Sequence, residues 1–254
     1  MVTFLEAVLL GIVQGITEWL PISSSGHLVL FQEWLGLDVP IIFDIMLHVA
    51  TLSVILLVFW KEARGILGAA LRLDFKSKDG KMLLFIISGS IPTAIIGLVF
   101  LDFFKGLFQN ANAVGIALII NAVVLFLTRF ADGIKKLKLP DALLIGIAQG
   151  IAITPGISRS GITISTGLFR GIEKKTLAAF SFLLSVPVII GAAVLESRDL
   201  VVEDIAIMPL LAGMVVSVVV GYLSLRLLLK VVMKQKLHLF SYYCLALGLV
   251  IVML

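Results

Sequence analysis

A Gly-, Ser- and Pro-rich segment occurs twice in this chain and carries most of its chemically capable side chains. Residues 11–26 read GIVQGITEWLPISSSG and residues 146–161 read GIAQGIAITPGISRSG, with nine of the sixteen aligned positions identical and no gap. The second copy adds a guanidinium. The first copy and the residue after it offer a carboxylate, hydroxyls and an imidazole: Glu18, Ser23, Ser24, Ser25 and His27. Brought together, these groups could bind an oxyanion and transfer protons.

Arg159 lies between two serines, in a stretch apolar enough to be buried in a membrane. A snorkelling or structurally paired arginine is the alternative interpretation. Charges within membrane segments are, however, candidates for function by default, and a guanidinium among hydroxyls and backbone N–H groups suits a phosphate oxyanion. Arg159 is therefore predicted as a catalytic residue that binds phosphate with Ser158, Ser160 and Thr163.

Gln14 and Glu18 are four residues apart and share one face of a helix. An ionised carboxylate here could hold Mg²⁺ or Ca²⁺ together with substrate oxygens. The alternative is a structural salt bridge between Glu18 and Arg159, and the two interpretations are compatible in the resting protein. Glu18 is predicted as a catalytic residue and metal ligand, and Gln14 as a substrate-binding residue.

His27 lies three residues after Ser24 and follows a glycine. Because imidazole titrates near neutral pH, His27 is predicted as a general base or acid; the alternative is a hydrogen-bonded packing residue. Ser24 is the favoured nucleophile, with His27 taking its proton, although direct attack by a water on His27 fits equally well. Ser23 and Ser25 are predicted to bind phosphate, unless one of the serines caps the following helix.

Asp44 and His48 form a further pair, four residues apart. They could buttress the site from behind the residues that contact the ligand, or they could simply pair with each other. The sequence does not favour either interpretation.

The composition indicates an integral membrane protein. Hydrophobic residues make up 60% of the 254 residues, charged residues make up 14%, and the mean hydropathy is +1.16. Alternation with the period of a strand is absent, which argues against a transmembrane barrel. Cys244 is the only cysteine, so intrachain disulfides and cysteine metal clusters are excluded. The net charge of +4 is explained by lipid-flanking loops, and no nucleic-acid partner is expected.

Several apolar runs approach the roughly 20 residues that a helix needs to cross a bilayer. They lie at about 40–60, 83–103, 113–130, 176–196, 205–228 and 239–254. Residues 1–39 and 142–170 remain, and each is centred on one copy of the repeated segment. Each is predicted as a re-entrant hairpin of two short helices that meet at a Ser/Gly/Pro tip, because Pro21 and Pro155 forbid a continuous helix.

The basic residues predict the orientation in the membrane. Of the 20 Lys and Arg residues, 17 lie in four stretches, at 61–81, 129–138, 170–175 and 226–236. The positive-inside rule places these stretches in the cytoplasm and the acidic loop 196–204 outside. Each half is then a hairpin followed by three crossings, and because three is odd the two halves are inverted.

The predicted fold class is therefore an all-α polytopic membrane protein with an inverted-topology repeat. A single membrane domain covers residues 1–254, with repeat 1 at about 1–130 and repeat 2 at about 140–254. Paired broken segments in equivalent places of two halves indicate a membrane-buried site. The inversion brings both tips together near the middle of the membrane.

At these residues the chain resembles the undecaprenyl-diphosphatase family of the bacitracin-resistance type. The first motif of that family, Glu/Gln-x-x-x-Glu followed by Pro-x-Ser-Ser-x-Gly-His, is matched by Gln14, Glu18, Pro21, Ser23, Ser24, Gly26 and His27. The second, Pro-Gly-x-Ser-Arg-Ser-x-x-Thr, is matched by Pro155, Gly156, Ser158, Arg159, Ser160 and Thr163. Two long motifs in the right order are a specific signal, and length, helix count and motif spacing fit essentially the whole chain.

The resemblance implies a multi-pass enzyme of the bacterial inner membrane that hydrolyses undecaprenyl diphosphate to the monophosphate and inorganic phosphate, recycling the lipid carrier of cell-wall glycans. It also implies dependence on a divalent cation and a site reached from the outer, periplasmic face. Gln14 stands where many relatives have Glu, so the ion would depend on Glu18 and the diphosphate. The expected partners are the polyprenyl diphosphate lipid and membrane lipids, and a homodimer is left open.

A transporter or flippase of an anionic polyprenyl lipid is the alternative function. Inverted repeats with broken helices at mid-membrane are a transporter architecture. A carrier needs only binding groups, whereas Glu18, Ser24 and His27 add acid–base and nucleophilic capacity. The sequence therefore favours an intramembrane phosphatase.

Overall fold

The computed structural model describes residues 2–37, 39–108, 110–196 and 206–253, and most of them form α-helices. No strand is found within these ranges, although Lys135 and Ile172 form an isolated β-bridge. The helices are α1 (Phe4–Thr17), α2 (Ser24–Leu35), α3 (Ile41–Val58), α4 (Trp60–Leu71), α5 (Lys78–Val99), α6 (Leu101–Phe108), α7 (Ala111–Leu127), α8 (Leu139–Ile151), α9 (Arg159–Phe169), α10 (Lys174–Glu196), α11 (Ile207–Met233) and α12 (Phe240–Met253). The predicted all-α fold is confirmed.

Four described helices are long and apolar enough to cross a membrane: α5, α10, α11, and α7 with the 3-10 turn that follows it. Helices α3 and α4 pass the same test together, but they are bent by 90° at their break. With that pair counted as one span, the described residues hold five. The chain is thus a polytopic membrane protein, as predicted.

Helix α4 occupies part of the stretch 61–81, which the sequence assigned to a solvated loop. It turns away from α3 by 90° and carries Lys61 and Arg64 beside the exposed apolar residues Trp60 and Leu67. A helix with charged and apolar faces is typical of the boundary between bilayer and water. The loop assignment was wrong here because a run of basic residues marks the membrane boundary without saying whether the backbone there is helical.

Two predicted spans differ from the helices observed. The run 83–103 is divided, because α5 ends at Val99 and α6 follows as a separate helix of eight residues. The run 239–254 forms α12, which has 14 residues. Even with the 3-10 turn before it, this helix is too short to count among the spanning helices. Hydropathy finds an apolar stretch, but it does not indicate where the backbone turns within it. The acidic loop 197–204, predicted outside, lies outside the described residues.

Helices α1 and α2 form the first predicted helix pair, and α8 and α9 form the second. Each pair packs against a helix of the other half: α1 packs on α11, and α8 packs on α5. Equivalent glycines permit both contacts: a Cβ at Gly11 would lie 2.4 Å from the carbonyl oxygen of Gly213, and one at Gly146 would lie 2.0 Å from that of Gly89. Small residues permit such close approach of membrane helices. This reciprocal packing is what two related halves would show, and their inverted orientation stays a prediction.

The first tip is anchored in the larger hydrophobic cluster. Trp19 is fully buried there, and its ring meets Phe182 of α10 edge-on, with centroids 5.7 Å apart. Phe182 also stacks on Phe59, at the break between α3 and α4, at 5.8 Å. The residue next to Glu18 is therefore held by packing against a helix of the second half.

Three of the four basic stretches meet at one end of the structure. Lys174 lies 2.9 Å from Asp132 and donates to Gln235 Oε1 at 3.2 Å, and Gln235 Nε2 donates to the carbonyl oxygen of Ala131 at 2.7 Å. The hydrogen bond from Lys174 holds the pKa of the exposed Asp132 carboxyl below its usual value. These contacts agree with the prediction that the three stretches share one side of the membrane.

Candidate active site

The tips of the two helix pairs touch each other. The backbone N–H of Gly156 donates to Ser23 Oγ at 3.1 Å. Ser160 Oγ donates to the carbonyl oxygen of Trp19 at 2.9 Å. The two copies of the repeated segment, 135 positions apart along the chain, therefore form one structural unit, as the sequence predicted.

Asn121 of α7 fastens the two tips to each other. Its Nδ2 donates to the carbonyl oxygen of Pro21 at 3.0 Å, and its Oδ1 accepts from the Ser158 N–H at 3.2 Å. The motifs do not point to this residue. A single amide within the apolar run 113–130 is nevertheless a usable signal, because a buried amide must find partners.

Two helices begin where the tips meet. Helix α2 starts at Ser24 and α9 starts at Arg159, and a helix N-terminus carries a partial positive charge that favours anions. Ser158 caps α9 by accepting from the Gly161 N–H at 3.2 Å. Ser23, in contrast, has a φ of +73° and caps no N–H of α2 with its side chain in the described structure. Such a φ is uncommon outside glycine and is often found at functional sites.

A cavity of about 170 Å³ lies at this junction and is called the polar chamber below. Six of the residues predicted from the sequence line it: Glu18, Ser23, Ser24, Ser25, Ser158 and Arg159. Apolar side chains such as Ile153 and Ile189 complete its walls. The structure thus places a carboxylate, a guanidinium and several hydroxyls in one small space.

Glu18 is buried, and its carboxylate contacts four side chains. Oε1 pairs with Arg159 Nη2. Oε2 accepts hydrogen bonds from Ser24 Oγ at 2.8 Å and from Gln14 Nε2 at 3.2 Å, and it lies 3.5 Å from His48 Nε2. A buried charge needs such an opposite charge and such donors. The salt bridge weighed as an alternative for Glu18 is present, and it leaves Ser24 on the same carboxylate.

The two terminal nitrogens of the Arg159 guanidinium differ in their contacts. Nη2 is engaged by Glu18, while the buried Nη1 has no hydrogen-bond partner among the residues the structure describes. A buried donor without a partner is costly unless water or a ligand satisfies it. Nη1 is therefore suited to donate to an oxyanion in the polar chamber.

His27 lies outside the residues that line the chamber and does not contact Ser24 Oγ here, so its role as the base for Ser24 stays a prediction. Its Nδ1 lies 2.7 Å from the Ser23 carbonyl oxygen, and its Nε2 lies 2.7 Å from the hydroxyl of Tyr243 on α12. A carbonyl oxygen only accepts, so Nδ1 carries the proton and Nε2 accepts from Tyr243. Both nitrogens are used, and His27 supports the turn before Ser24 instead of contacting Ser24 Oγ.

Three predicted substrate-binding residues, Gln14, Ser160 and Thr163, lie behind the chamber wall. Gln14 donates to Glu18, and Ser160 donates across the tips. Thr163 Oγ1 lies 2.8 Å from the carbonyl oxygen of Arg159 and 2.6 Å from Ser181 Oγ. A threonine four residues into a helix commonly bonds to the preceding turn in this way. These three residues therefore position the site in this structure, and their contact with substrate stays a prediction.

His48 of α3 is the histidine that lies beside Glu18, with Nε2 3.5 Å from Oε2. It lines the polar chamber, and its Nδ1 lies 2.9 Å from the Asp44 carbonyl oxygen. Because that oxygen only accepts, Nδ1 donates to it and Nε2 faces Glu18. The Asp44 carboxylate accepts from Gln32 Nε2 at 2.9 Å instead. Of the two interpretations of this pair, the buttress is therefore favoured, with His48 directly at Glu18.

A second cavity, of about 300 Å³, adjoins the polar chamber and is called the side cavity. Ser25, His48 and Ile189 line both spaces. Most of its remaining lining is apolar: Leu28, Val29, Ile45, Phe108, Ala192 and Ala193. A polar space that continues into an apolar one suits a ligand with a charged head and an apolar tail.

The described residues hold no group of three or more His, Cys, Asp and Glu side chains that could hold a metal ion. Mg²⁺ is, however, commonly bound by one or two carboxylates together with substrate phosphates and water. Glu18 supplies a carboxylate in the chamber, and Gln149 supplies a buried carbonyl oxygen that has no partner in the described part of the chain. These donors fit a cation that is bound together with phosphate.

Comparison with known proteins gives a consistent result. The family model described as bacitracin resistance protein BacA matches residues 7–250. A protein of Carboxydothermus hydrogenoformans named undecaprenyl-diphosphatase is 43% identical over 259 residues, covering 98% of this chain and 96% of its own. Proteins of the same name from Halothermothrix orenii and Methanosphaera stadtmanae are each 40% identical, the first over 98% of this chain and 97% of its own, the second over 100% and 99%.

Proposed function

The chain belongs to the bacitracin-resistance BacA family, and we propose that it is an undecaprenyl-diphosphatase. It is a membrane hydrolase that cleaves the diphosphate anhydride of the lipid, giving undecaprenyl phosphate and inorganic phosphate, and so recycles the lipid carrier for cell-wall synthesis. The observation that carries this proposal is the convergence of Ser24 and Arg159 on the buried Glu18 carboxylate. The transporter or flippase is not favoured, because the relatives named above are all diphosphatases.

The substrate fits the two adjoining cavities. The diphosphate head is assigned to the polar chamber, where Arg159 Nη1 and the N-termini of α2 and α9 favour negative charge. The first part of the polyprenyl tail is assigned to the side cavity, whose apolar lining opens from the chamber at Ser25 and His48. The rest of the tail lies among lipid, where apolar surface needs no dedicated pocket.

The first chemical step is attack by Ser24 on the terminal phosphorus. Ser24 Oγ forms a bond to that phosphorus, the bond from phosphorus to the bridging oxygen breaks, and undecaprenyl phosphate leaves. Glu18 Oε2 already accepts the Ser24 hydrogen bond at 2.8 Å and takes its proton. Phosphate oxygens that draw Arg159 away from Glu18 leave the carboxylate free for this role. Donors fixed before the reaction stabilise the charge that develops on phosphorus.

The second step returns the enzyme to its starting state. Glu18 passes the proton it took from Ser24 to the departing undecaprenyl phosphate. Water then attacks the phosphorus of the phosphorylated Ser24 and gives a proton to Glu18, which returns it to Ser24 Oγ as the bond from phosphorus to Ser24 Oγ breaks and inorganic phosphate is released. Arg159 stays on the phosphate oxygens in both steps. Direct attack of water on the substrate would use the same carboxylate and the same guanidinium.

Dependence on Mg²⁺ or Ca²⁺ is part of the proposal. Glu18 would hold the cation together with diphosphate oxygens, and a bound divalent cation neutralises phosphate charge and improves the leaving group. The donor set described above supports this assignment. The conclusions for Ser24 and Arg159 do not depend on which of the two ions is used.

The enzyme is proposed to work in the cytoplasmic (inner) membrane, with the polar chamber reached from the outer face. The support for this is the contact among three basic stretches at one end of the structure and the positive-inside rule, which places that end in the cytoplasm. A homodimer stays a prediction.

The direct test is release of inorganic phosphate from a short-chain prenyl diphosphate by the purified protein in detergent. We expect catalytic release, stimulated by Mg²⁺ or Ca²⁺. Glu18→Gln keeps the shape of the side chain and should remove both turnover and the response to the cation. A carrier does not cleave the diphosphate and would release no phosphate. The absence of release by a well-folded wild-type protein would therefore contradict the proposal.

A further inference from the structure

Gln149 of α8 is a wall residue of the polar chamber that neither motif contains. It occupies the same position in the second copy of the repeat as Gln14 does in the first. Its residue surface is 1% exposed, and it lines the chamber together with Glu18 and Arg159. A polar side chain kept in such a place needs partners.

The orientation of the Gln149 amide is fixed by its surroundings. Nε2 lies 3.4 Å from the carbonyl oxygen of Leu184 and 3.3 Å from Thr93 Oγ1. The carbonyl oxygen only accepts, and Thr93 Oγ1 donates its own proton to the carbonyl oxygen of Gly146 at 2.8 Å. Both neighbours are thus acceptors for the two Nε2 hydrogens. A flipped amide would place oxygen against oxygen, so the assignment of Oε1 is secure.

Gln149 Oε1 has no hydrogen-bond partner within the described residues. Gln14 Oε1 is also without a partner there, but Gln14 does not line the chamber, and its Nε2 is committed to Glu18. Of these two repeat-related amides, Gln149 alone combines a fixed amide, a free carbonyl oxygen and a place in the chamber wall.

A carbonyl oxygen cannot accept from a phosphate oxyanion, so its complement in a phosphate-binding chamber is a cation or an O–H group. Mg²⁺ and Ca²⁺ both bind oxygen ligands, and Ca²⁺ in particular uses Asn and Gln carbonyl oxygens. We propose that Gln149 Oε1 would serve, together with the carboxylate of Glu18, as a ligand of the divalent cation that binds with the diphosphate. This inference rests on the proposed function and extends it, since it assigns a second protein ligand to the ion.

The experiment measures binding of Mn²⁺, the paramagnetic substitute for Mg²⁺, from the electron paramagnetic resonance signal of the free ion. The purified protein is titrated with and without a prenyl methylene-bisphosphonate, which cannot be hydrolysed. Gln149→Met keeps length and removes the carbonyl oxygen, so with the bisphosphonate present its Kd for Mn²⁺ should rise about tenfold. Gln149→Glu retains an oxygen and adds a negative charge. A bound cation relieves the repulsion between this charge and the carbonyl oxygen of Leu184, so the Kd for Mn²⁺ should fall at least about threefold.

Ser217→Ala is the matched control. Ser217 is as deeply buried as Gln149, its Oγ also lacks a partner among the described residues, and it does not line the chamber. Its Kd for Mn²⁺ should stay at the wild-type value. The unfolding temperature of each variant shows whether it is folded, and the Glu variant tests the proposal even if the Met variant fails to fold.

An unchanged Mn²⁺ affinity in folded Gln149→Met, or no gain in Gln149→Glu, would overturn the assignment. A loss of phosphate release without a change in Mn²⁺ affinity would also overturn it, since Gln149 would then bind water instead of the ion. Phosphate release by the wild type is measured in parallel. If the wild type hydrolyses the prenyl diphosphate while Gln149→Met binds Mn²⁺ normally, the ligand assignment alone is wrong.

Discussion

Ser24 Oγ donates to Glu18 Oε2 at 2.8 Å, and both residues belong to the same broken hairpin. The bond joins Ser24, the first residue of α2, to Glu18, the residue that follows α1 as its C-cap, across the Pro-containing turn. Glu18 also pairs with Arg159 from the second hairpin. A hydroxyl, a carboxylate and a guanidinium are thus held together by the contact between the two copies of the repeated segment.

Arg159→Lys is expected to lower turnover to below about a tenth of the wild-type rate, a loss of at least about 1.4 kcal/mol of transition-state stabilisation. An ammonium keeps the charge but cannot present two nitrogens of one rigid plane to two phosphate oxygens. Steady-state phosphate release measures the effect. Arg170→Lys is the control, because Arg170 pairs with Asp141 away from the chamber. More than about half of normal turnover in folded Arg159→Lys would exclude the two-pronged role.

His48→Gln is expected to keep most of the activity, whereas His48→Leu should lose at least about tenfold. The Gln side chain keeps a polar group beside Glu18 Oε2, which lies 3.5 Å from His48 Nε2, and its amide can donate to that oxygen, whereas Leu cannot. Turnover at saturating prenyl diphosphate separates the two variants. Equal activity of the Gln and Leu variants would show that the contact with Glu18 does not matter for the reaction.

Tyr243→Phe is expected to reduce the free energy of unfolding by about 1–3 kcal/mol, because it removes the partner of a buried imidazole nitrogen. Turnover of the folded protein should stay within about threefold of normal, since the hydroxyl contacts His27 and not the chamber. Thermal unfolding and phosphate release, measured on the same preparation, test both statements. A tenfold loss of turnover at unchanged stability would instead give the His27–Tyr243 pair a direct part in proton transfer.

Single cysteines at exposed positions test the predicted orientation of the chain in the membrane. In a Cys244→Ser background, Asn112→Cys should react with an impermeant thiol reagent in intact cells. Lys76→Cys and Lys236→Cys should react only after the membrane is opened, because the positive-inside rule places their basic stretches in the cytoplasm. All three residues are exposed. The reverse pattern would refute access to the chamber from the outer face.

The repeated segment made the meeting of Glu18 and Arg159 predictable, because equivalent broken segments in two halves come together. The choice between two histidines was not predictable. His27 and His48 both lie four residues after a residue whose carbonyl oxygen can hold Nδ1, and only the packing of α3 and α12 decides which Nε2 reaches the carboxylate. Gln149 could have been found, since it repeats Gln14, but its free carbonyl oxygen depends on Thr93 and Leu184.

In the fold, too, some features follow from the local sequence and others only from the packing of helices. The apolar runs marked the spanning helices, and the prolines marked the two tips. The break after Val99 left no signal in hydropathy, since Phe100 and Leu101 beyond it are also apolar. The charged residues after Phe59 marked the end of a span, but they did not show that the chain turns there by 90° into α4. Such turns are set by how neighbouring helices pack, and not by the residues at the turn alone.

The central claim is that Ser24, activated by Glu18, attacks the diphosphate in the polar chamber. The measurement that tests it most directly is the rate of phosphate release from a short-chain prenyl diphosphate by Ser24→Ala, with Ser25→Ala as the control on the adjacent hydroxyl of the same chamber. We predict a loss of at least about a thousandfold for Ser24→Ala, as for other catalytic nucleophiles, and less than about tenfold for Ser25→Ala. A folded Ser24→Ala protein that releases phosphate within tenfold of the wild-type rate would contradict the claim.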